Sequence, residues 1–308
     1  RQMCIRDRAR SLLLASEIKP LLSSSKPSNL DHSSLLTYLT EGSTKGDSTI
    51  FREVKQLEAG RYMTFSPQHG INIQEYAVDI DTHKCDAPIL VSIKEQIPSI
   101  NYGIMYSGGI DSTILLKYSM DSPNLEYILS ISVDNDEMNE YHWQQMGIHH
   151  FPAKNAKHIS IVNNLGSFTP ESLYAASKGL DLPITHPSFI GALDIAKCAR
   201  DLGLKVLLCG EGADELFHGY RWHLERESCT NPLSYLQYAS IHHISGLLDI
   251  FCLSTEPTSS VPLSFDDIFI RRYMPRWLIR ADLTGMAYSV ENRVPFLSLK
   301  NYAFSQSL

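Results

Sequence analysis

An apolar run, Tyr102 to Tyr106, ends in Ser107-Gly108-Gly109, and a helical period through Ile114, Leu115 and Tyr118 begins at once. This junction constrains the fold more than any other stretch, because strand, tight glycine turn and helix in immediate succession form the start of a βαβ unit. The pattern then recurs. A second strand is predicted over Leu125 to Val133, a helix over Met138 to Met146 closed by Gly147, and a third strand over Ile148 to Phe151. His186-Pro187 opens a helix through Phe189, Ile190, Leu193, Ala196 and Arg200, capped by Gly203. Lys205 to Cys209 is a strand running straight into Gly210-Glu211-Gly212-Ala213-Asp214-Glu215. Strands alternating with helices predict an α/β fold, a doubly wound parallel sheet with helices on both faces. Such sheets bind ligands beyond the carboxyl ends of their strands, and both glycine-rich turns lie at that edge.

Upstream the pattern is less regular. Residues 1–10 are arginine-rich with no apolar period, and are expected to be a frayed end or a boundary scar. Leu12 to Leu14 form a short apolar segment, and Ser23 to Ser28 read as a linker. Asp31 is a predicted N-cap for a helix carrying Leu35, Leu36 and Leu39 and closed by Gly42. Extended pieces are expected at Tyr62 to Phe65 and Ile71 to Tyr76, around a turn at Pro67 to Gly70. Pro88 suits a helix first turn, with Ile89, Ile93 and Ile97 recurring until Pro98. Beyond Tyr220 the pattern is mainly helical.

Composition removes several function classes. Twenty-seven basic against 34 acidic residues, a net charge of −7, argue against a nucleic-acid or anionic-membrane binder, since phosphate neutralisation needs a basic surface. No apolar run is long enough to span a bilayer. The six cysteines form no CxxC pair and read as reduced thiols of a cytoplasmic protein. The pairs His149-His150 and His242-His243 do not match zinc spacing. Arg271, Arg272, Arg276 and Arg280 around Trp277 are expected to be a solvated helix face or an intramolecular partner for the acidic surplus.

The two glycine-rich turns carry the chemistry. Adjacent glycines at Gly108 and Gly109 let the backbone approach a bulky anion, and the helix start behind them offers N–H groups. Ser107, Ser112 and Thr113 add hydroxyls. An acid inside a phosphate loop repels its ligand unless a divalent cation lies between, so Asp111 implies Mg2+. The lysine of a Walker loop is missing, which favours a pyrophosphate site. In the second turn, Glu211, Asp214 and Glu215 crowd a strand end, a costly placement without a cation or a cationic reactant.

Together these stretches resemble the synthetase domain of the glutamine-hydrolysing asparagine synthetase family, within the Ser-Gly-Gly-x-Asp-Ser (PP-loop) ATP pyrophosphatase superfamily. Met286 to Leu297 resembles the family's later Arg-Val-Pro-Phe-Leu-Asp signature. Ala15 to Lys19 resembles the end of its glutaminase domain, and Ile50 to Tyr62 the connector that follows. The resemblance implies an adenine nucleotide alpha hydrolase-like fold, with 11–84 a glutaminase remnant plus connector. Residues 85–308 are then a synthetase domain with a helical C-terminal part, and the chain is expected to be truncated at both ends. Ser107, Gly108, Gly109, Asp111 and Ser112 would hold the ATP phosphates, and Met105, Val133 and Gly210 would contact adenosine. Asp111 and Asp214 would bind Mg2+, and Glu211 would sit near the amino-acid substrate and ammonia, making Glu211, Asp111 and Asp214 the catalytic candidates.

The implied activity is an amidotransferase-type ligase. Aspartate would be adenylated by ATP with loss of pyrophosphate, and ammonia, free or from glutamine, would displace AMP. Alternatives are an adenylating ligase for another small carboxylate, as in a β-lactam synthetase, a peptide cyclase or a sugar amidotransferase, or a non-catalytic ATP-binding fragment. A homodimer is one assembly open to it. Three residues depart from the family's pattern: Cys209 stands for a serine, His218 for the first glycine of Phe-Gly-Gly-Tyr, and Ser298 for the aspartate of Pro-Phe-Leu-Asp. Cys209 is expected to pack rather than react. Cys4 is followed by Ile-Arg-Asp rather than Gly-Ile and is not taken as a glutaminase nucleophile.

Overall fold

The computed structural model describes residues 4–8, 11–23, 29–77, 87–133, 139–163, 169–184, 186, 188–220, 270 and 273–308. The chain divides into two compact units, Arg1–Asp79 with Leu224–Arg276, and Ile80–His223 with Trp277–Leu308.

In the first unit Cys4–Arg8 (β1) is a strand, not the frayed end its composition suggests. It pairs antiparallel with Ser11–Ala15 (β2), Cys4 opposite Ala15 and Arg8 opposite Ser11, and on its other edge with Lys55–Gln56 (β3). Pairing on both edges, with Cys4 and Ile5 buried, outweighs the missing apolar period. Ile18–Ser23 (α1) and His32–Glu41 (α2) follow. Asp31 caps α2 by accepting from Ser34 N at 2.8 Å, and Gly42 ends it, as the sequence predicts. Arg61–Ser66 (β4) and Gly70–Glu75 (β5) form the expected hairpin.

The second unit is built on five parallel strands. Tyr102–Met105 (β6), Leu125–Val133 (β7), Lys157–Asn163 (β8), Val206–Leu208 (β9) and Glu291–Arg293 (β10) stand in the order β10-β9-β6-β7-β8. Side chains alternate through this sheet and feed a core on each face. On one face Ile104, Ile128, Val206 and Leu208 pack with Ile93 of Pro88–Gln96 (α3) and with Leu115 and Leu116 of Ile110–Ser119 (α4). On the other, Leu129 and Leu207 pack with Ile195 and Ala199 of Ser188–Asp201 (α7). Helices on both faces bear out the α/β, doubly wound expectation. The remaining described helices are Tyr141–His150 (α5), Pro170–Gly179 (α6), Ala213–Phe217 (α8), Met274–Ala287 (α9) and Leu299–Ser305 (α10).

The third strand is not where the sequence pattern puts it. Ile148 to His150 continue α5 past Gly147, with Phe151 as its C-cap, and the strand lies later, at β8. Gly147 does not stop the helix. It admits the Tyr106 ring, whose hydroxyl occupies the space a side chain would take. In β8 Ile159 and Ile161 pack against the core with Ser160 between them, and two alternating apolar positions are too short a run to mark a strand. The mainly helical reading beyond Tyr220 falls largely on 221–269, outside the described residues. Among the described residues no helix is long and apolar enough to cross a membrane.

Candidate active site

After β8 the chain returns across β6 and β7 to lay β9 on the far side of β6, so β6 and β9 are neighbours whose onward connections diverge. A crevice at the carboxyl ends of such a pair is where open α/β sheets take their ligands. A cleft of about 520 Å3 opens there. It is lined by the loops after β6 and β9, by α7 and by the Trp277–Arg280 stretch of α9.

The first loop is held by its own hydroxyls. Ser107 Oγ accepts from Gly109 N at 3.2 Å, and Ser112 Oγ donates to Gly109 O at 3.1 Å and accepts from Ser107 N at 3.3 Å. Gly108 has φ +87°, and a side chain there would meet the backbone of Trp143 and Gln144 in α5. Only glycine fits, both for backbone hand and for space. The N-terminus of α4 has no side-chain cap, which leaves first-turn N–H groups for an anion.

Asp111 of α4 lies against the second loop, close enough that a Cβ on Gly210 would stand 3.2 Å from its own Cβ. Burial pushes the Asp111 carboxyl up to about 6, and the charge of Asp214 pushes it the same way. Burial also raises Asp214 and Glu140, and takes Glu215 up to about 7 although the Tyr220 hydroxyl donates to it at 2.5 Å. Two hard carboxylates that repel each other at a phosphate-sized cleft are a donor set suited to Mg2+, which binds through one or two carboxylates plus phosphate oxygens. Among the described residues no group of three or more His, Cys, Asp or Glu forms an all-protein metal cage. The pair therefore fits the cation the sequence implies.

Of the predicted site residues, Met105, Ser107, Gly109, Asp111, Ser112, Gly210, Glu211 and Asp214 line this cleft together. Val133 ends β7 and is not among the lining residues, and Gly108 turns its open side to α5. Cys209 is buried; its thiol donates to Arg293 O at 3.3 Å and is pushed up to about 12 by burial first and by Glu211 second. That is a packed, protonated thiol. His218 adopts φ +60°, a left-handed conformation that glycine takes more readily than histidine. Ser298 caps α10, accepting from Asn301 N at 3.1 Å, a task aspartate performs equally well.

Of the two expectations for the arginine cluster, Arg280 follows the second, an intramolecular partner for an acid. It is not on a solvated face: its side chain is 15% exposed, pairs with Glu211 and donates to Ser188 Oγ at 2.5 Å. Its guanidinium lies 4.6 Å over the Trp277 ring. It is the sole lysine or arginine among the described lining residues.

Fold and cleft define an α/β protein with a cleft of hydroxyls, backbone N–H groups and carboxylates at the carboxyl edge of a parallel sheet. The family profile for asparagine synthase matches residues 95–304, and the chain belongs to that family. A Mycobacterium tuberculosis protein assigned as a glutamine-hydrolysing asparagine synthetase is 28% identical over 225 residues, covering 67% of this chain and 32% of its own. Asparagine synthetase 1 of Bacillus subtilis is 25% identical over 227 residues, covering 68% and 34%. The chain thus spans about a third of the length of these curated relatives. The U34-tRNA thiolase NcsA of Methanococcus maripaludis overlaps 74% of this chain and 88% of its own at 12% identity, with a TM-score of 0.30, too slight a likeness to bear on function.

Proposed function

We propose that this chain carries the synthetase chemistry of an AMP-forming amide ligase, with aspartate as the carboxylate substrate. The observation that carries the reading is the meeting of the Ser107–Gly109 turn with the Asp111 and Asp214 carboxylates at neighbouring strand ends. Ser107, Gly108, Gly109 and Ser112 would cradle the phosphates of ATP, while Met105 and Gly210 would face its adenosine. Asp111 and Asp214 would hold Mg2+, which when bound offsets charge building on the departing pyrophosphate.

A carboxylate resists amidation because its oxygen is a poor leaving group. Attack by the substrate carboxylate on the α-phosphorus forms a new C–O–P linkage and breaks the bond to pyrophosphate. Ammonia then adds to the activated carbonyl, loses a proton, and AMP departs. Loop amides keep the pyrophosphate in line, which is positioning and electrostatic work rather than covalent catalysis. Glu211, held by Arg280 on the cleft wall, would face the amino-acid substrate and the incoming ammonia. We assign residues 11–84 to the end of a glutaminase domain and its connector, the ammonia source in such a ligase.

The test is aspartate-dependent exchange of labelled pyrophosphate into ATP. Exchange is expected with Mg2+ present and expected to fall at least about a hundredfold in Asp111→Asn, the size of loss seen when one oriented charge is removed. Exchange without any carboxylate, or none with aspartate, would contradict the reading.

A further inference from the structure

We propose that Gln144, which lies outside the cleft, is the positioning residue for the phosphate loop. The proposal rests on the reading of Ser107–Gly109 as the ATP phosphate site.

Gln144 is wholly buried, in the first turn of α5. Its side-chain Nε2 donates to Ile131 O at 2.8 Å. The partner is a carbonyl, which fixes the amide orientation, since only the nitrogen has a proton to give. Ile131 lies toward the carboxyl end of β7 and lines the cleft, so this bond ties α5 to the sheet at the edge where ligand would bind. Gln144 N in turn donates to the carbonyl of Glu140, another lining residue.

The loop rests on that same turn. A Cβ on Gly108 would stand 2.7 Å from Gln144 N and 2.9 Å from Trp143 C. Backbone is therefore in close contact with backbone, and neither side has a flexible group to yield. A shift of the first turn of α5 is transmitted to Gly108 without loss, because packed interiors pass displacement on rather than absorb it.

The other half of the Gln144 amide argues that this is not a stability device. Among the described residues its Oε1 is buried and has no hydrogen-bond partner. A buried acceptor left bare costs stability, and an apolar side chain of similar size would avoid the cost. What the glutamine adds over an apolar side chain is the bond its nitrogen makes to Ile131 O, and that bond holds the turn of α5 beneath Gly108.

Gln144→Met keeps the length and volume but cannot donate; Gln144→Ala removes the side chain. Each is to be checked for folding by circular dichroism, and then measured for MgATP dissociation constant, for KM of ATP and aspartate, and for kcat. Expected for both variants is a roughly tenfold weaker hold on ATP, the equivalent of one lost hydrogen bond. The aspartate KM should stay within about twofold, while kcat falls alongside ATP binding, because the same loop amides hold the departing pyrophosphate in line. Unchanged ATP affinity in both variants, or an equal rise in both KM values, would overturn the positioning role. Failure of the wild-type protein to bind MgATP would overturn the phosphate-site reading, and this proposal with it.

Discussion

Gly108 concentrates the demands on the site into one residue. Its φ of +87° costs an L-residue about 1–2 kcal/mol, and the α5 backbone blocks the space a methyl group would need. Gly108→Ala is expected to move the loop and weaken MgATP binding more than tenfold in calorimetric titration; unchanged affinity would show that the loop does not hold phosphate. Cys209 gives a prediction of the opposite kind. With its thiol pushed up to about 12, almost no thiolate forms near neutral pH, so alkylation of Cys209 in the folded protein should be far slower than that of a free thiol. Modification mapped by mass spectrometry at the free-thiol rate would contradict the packed assignment. At this scale the sequence was legible where chemistry is local: the Ser-Gly-Gly turn, Asp111 and Asp214 are apparent from residue type and spacing. For Arg280 an intramolecular acidic partner was legible but not which acid, because Glu211 is 69 positions away and no local pattern encodes that pairing.

Helix ends are the next scale. Asp31 holds its carboxyl below the usual range chiefly by accepting from the Ser34 backbone N–H, an effect burial partly opposes. A carboxyl lowered in the folded state stabilises above its unfolded pKa of about 4 and loses that contribution as pH falls through the lower folded value. Asp31→Ala should therefore destabilise by about 1 kcal/mol near neutral pH, with the gap from wild type closing below pH about 4. A gap that persists at low pH in denaturant titrations would mean the cap acts otherwise. Ser298 gives a matched pair: Ser298→Ala should cost about 1 kcal/mol, while Ser298→Asp should keep stability near wild type. Elements with clean signals were readable, as in α2 with Asp31 and Gly42 at its two ends. The strand β8 was not, since only Ile159, Ser160 and Ile161 show the alternation, too short a run to signal a strand. Gly147 misled for a physical reason: it serves the fit of Tyr106, not the end of a helix.

For the molecule as a whole, strand order decides where chemistry is placed. The return of the chain from β8 to β9 is a long-range event, invisible in any local window, and it sets two loops about a hundred residues apart in sequence side by side. Alternation of strands and helices made the α/β class legible, whereas the order β10-β9-β6-β7-β8 required the structure. That arrangement places phosphate-type donors and paired carboxylates in one cleft, and the account stands on what they do to ATP. The most direct measurement supplies the protein with MgATP, aspartate and ammonia and separates the nucleotide products. AMP and pyrophosphate, formed in equal amounts with asparagine, are the predicted result; ADP and inorganic phosphate, or no nucleotide cleavage, would contradict it.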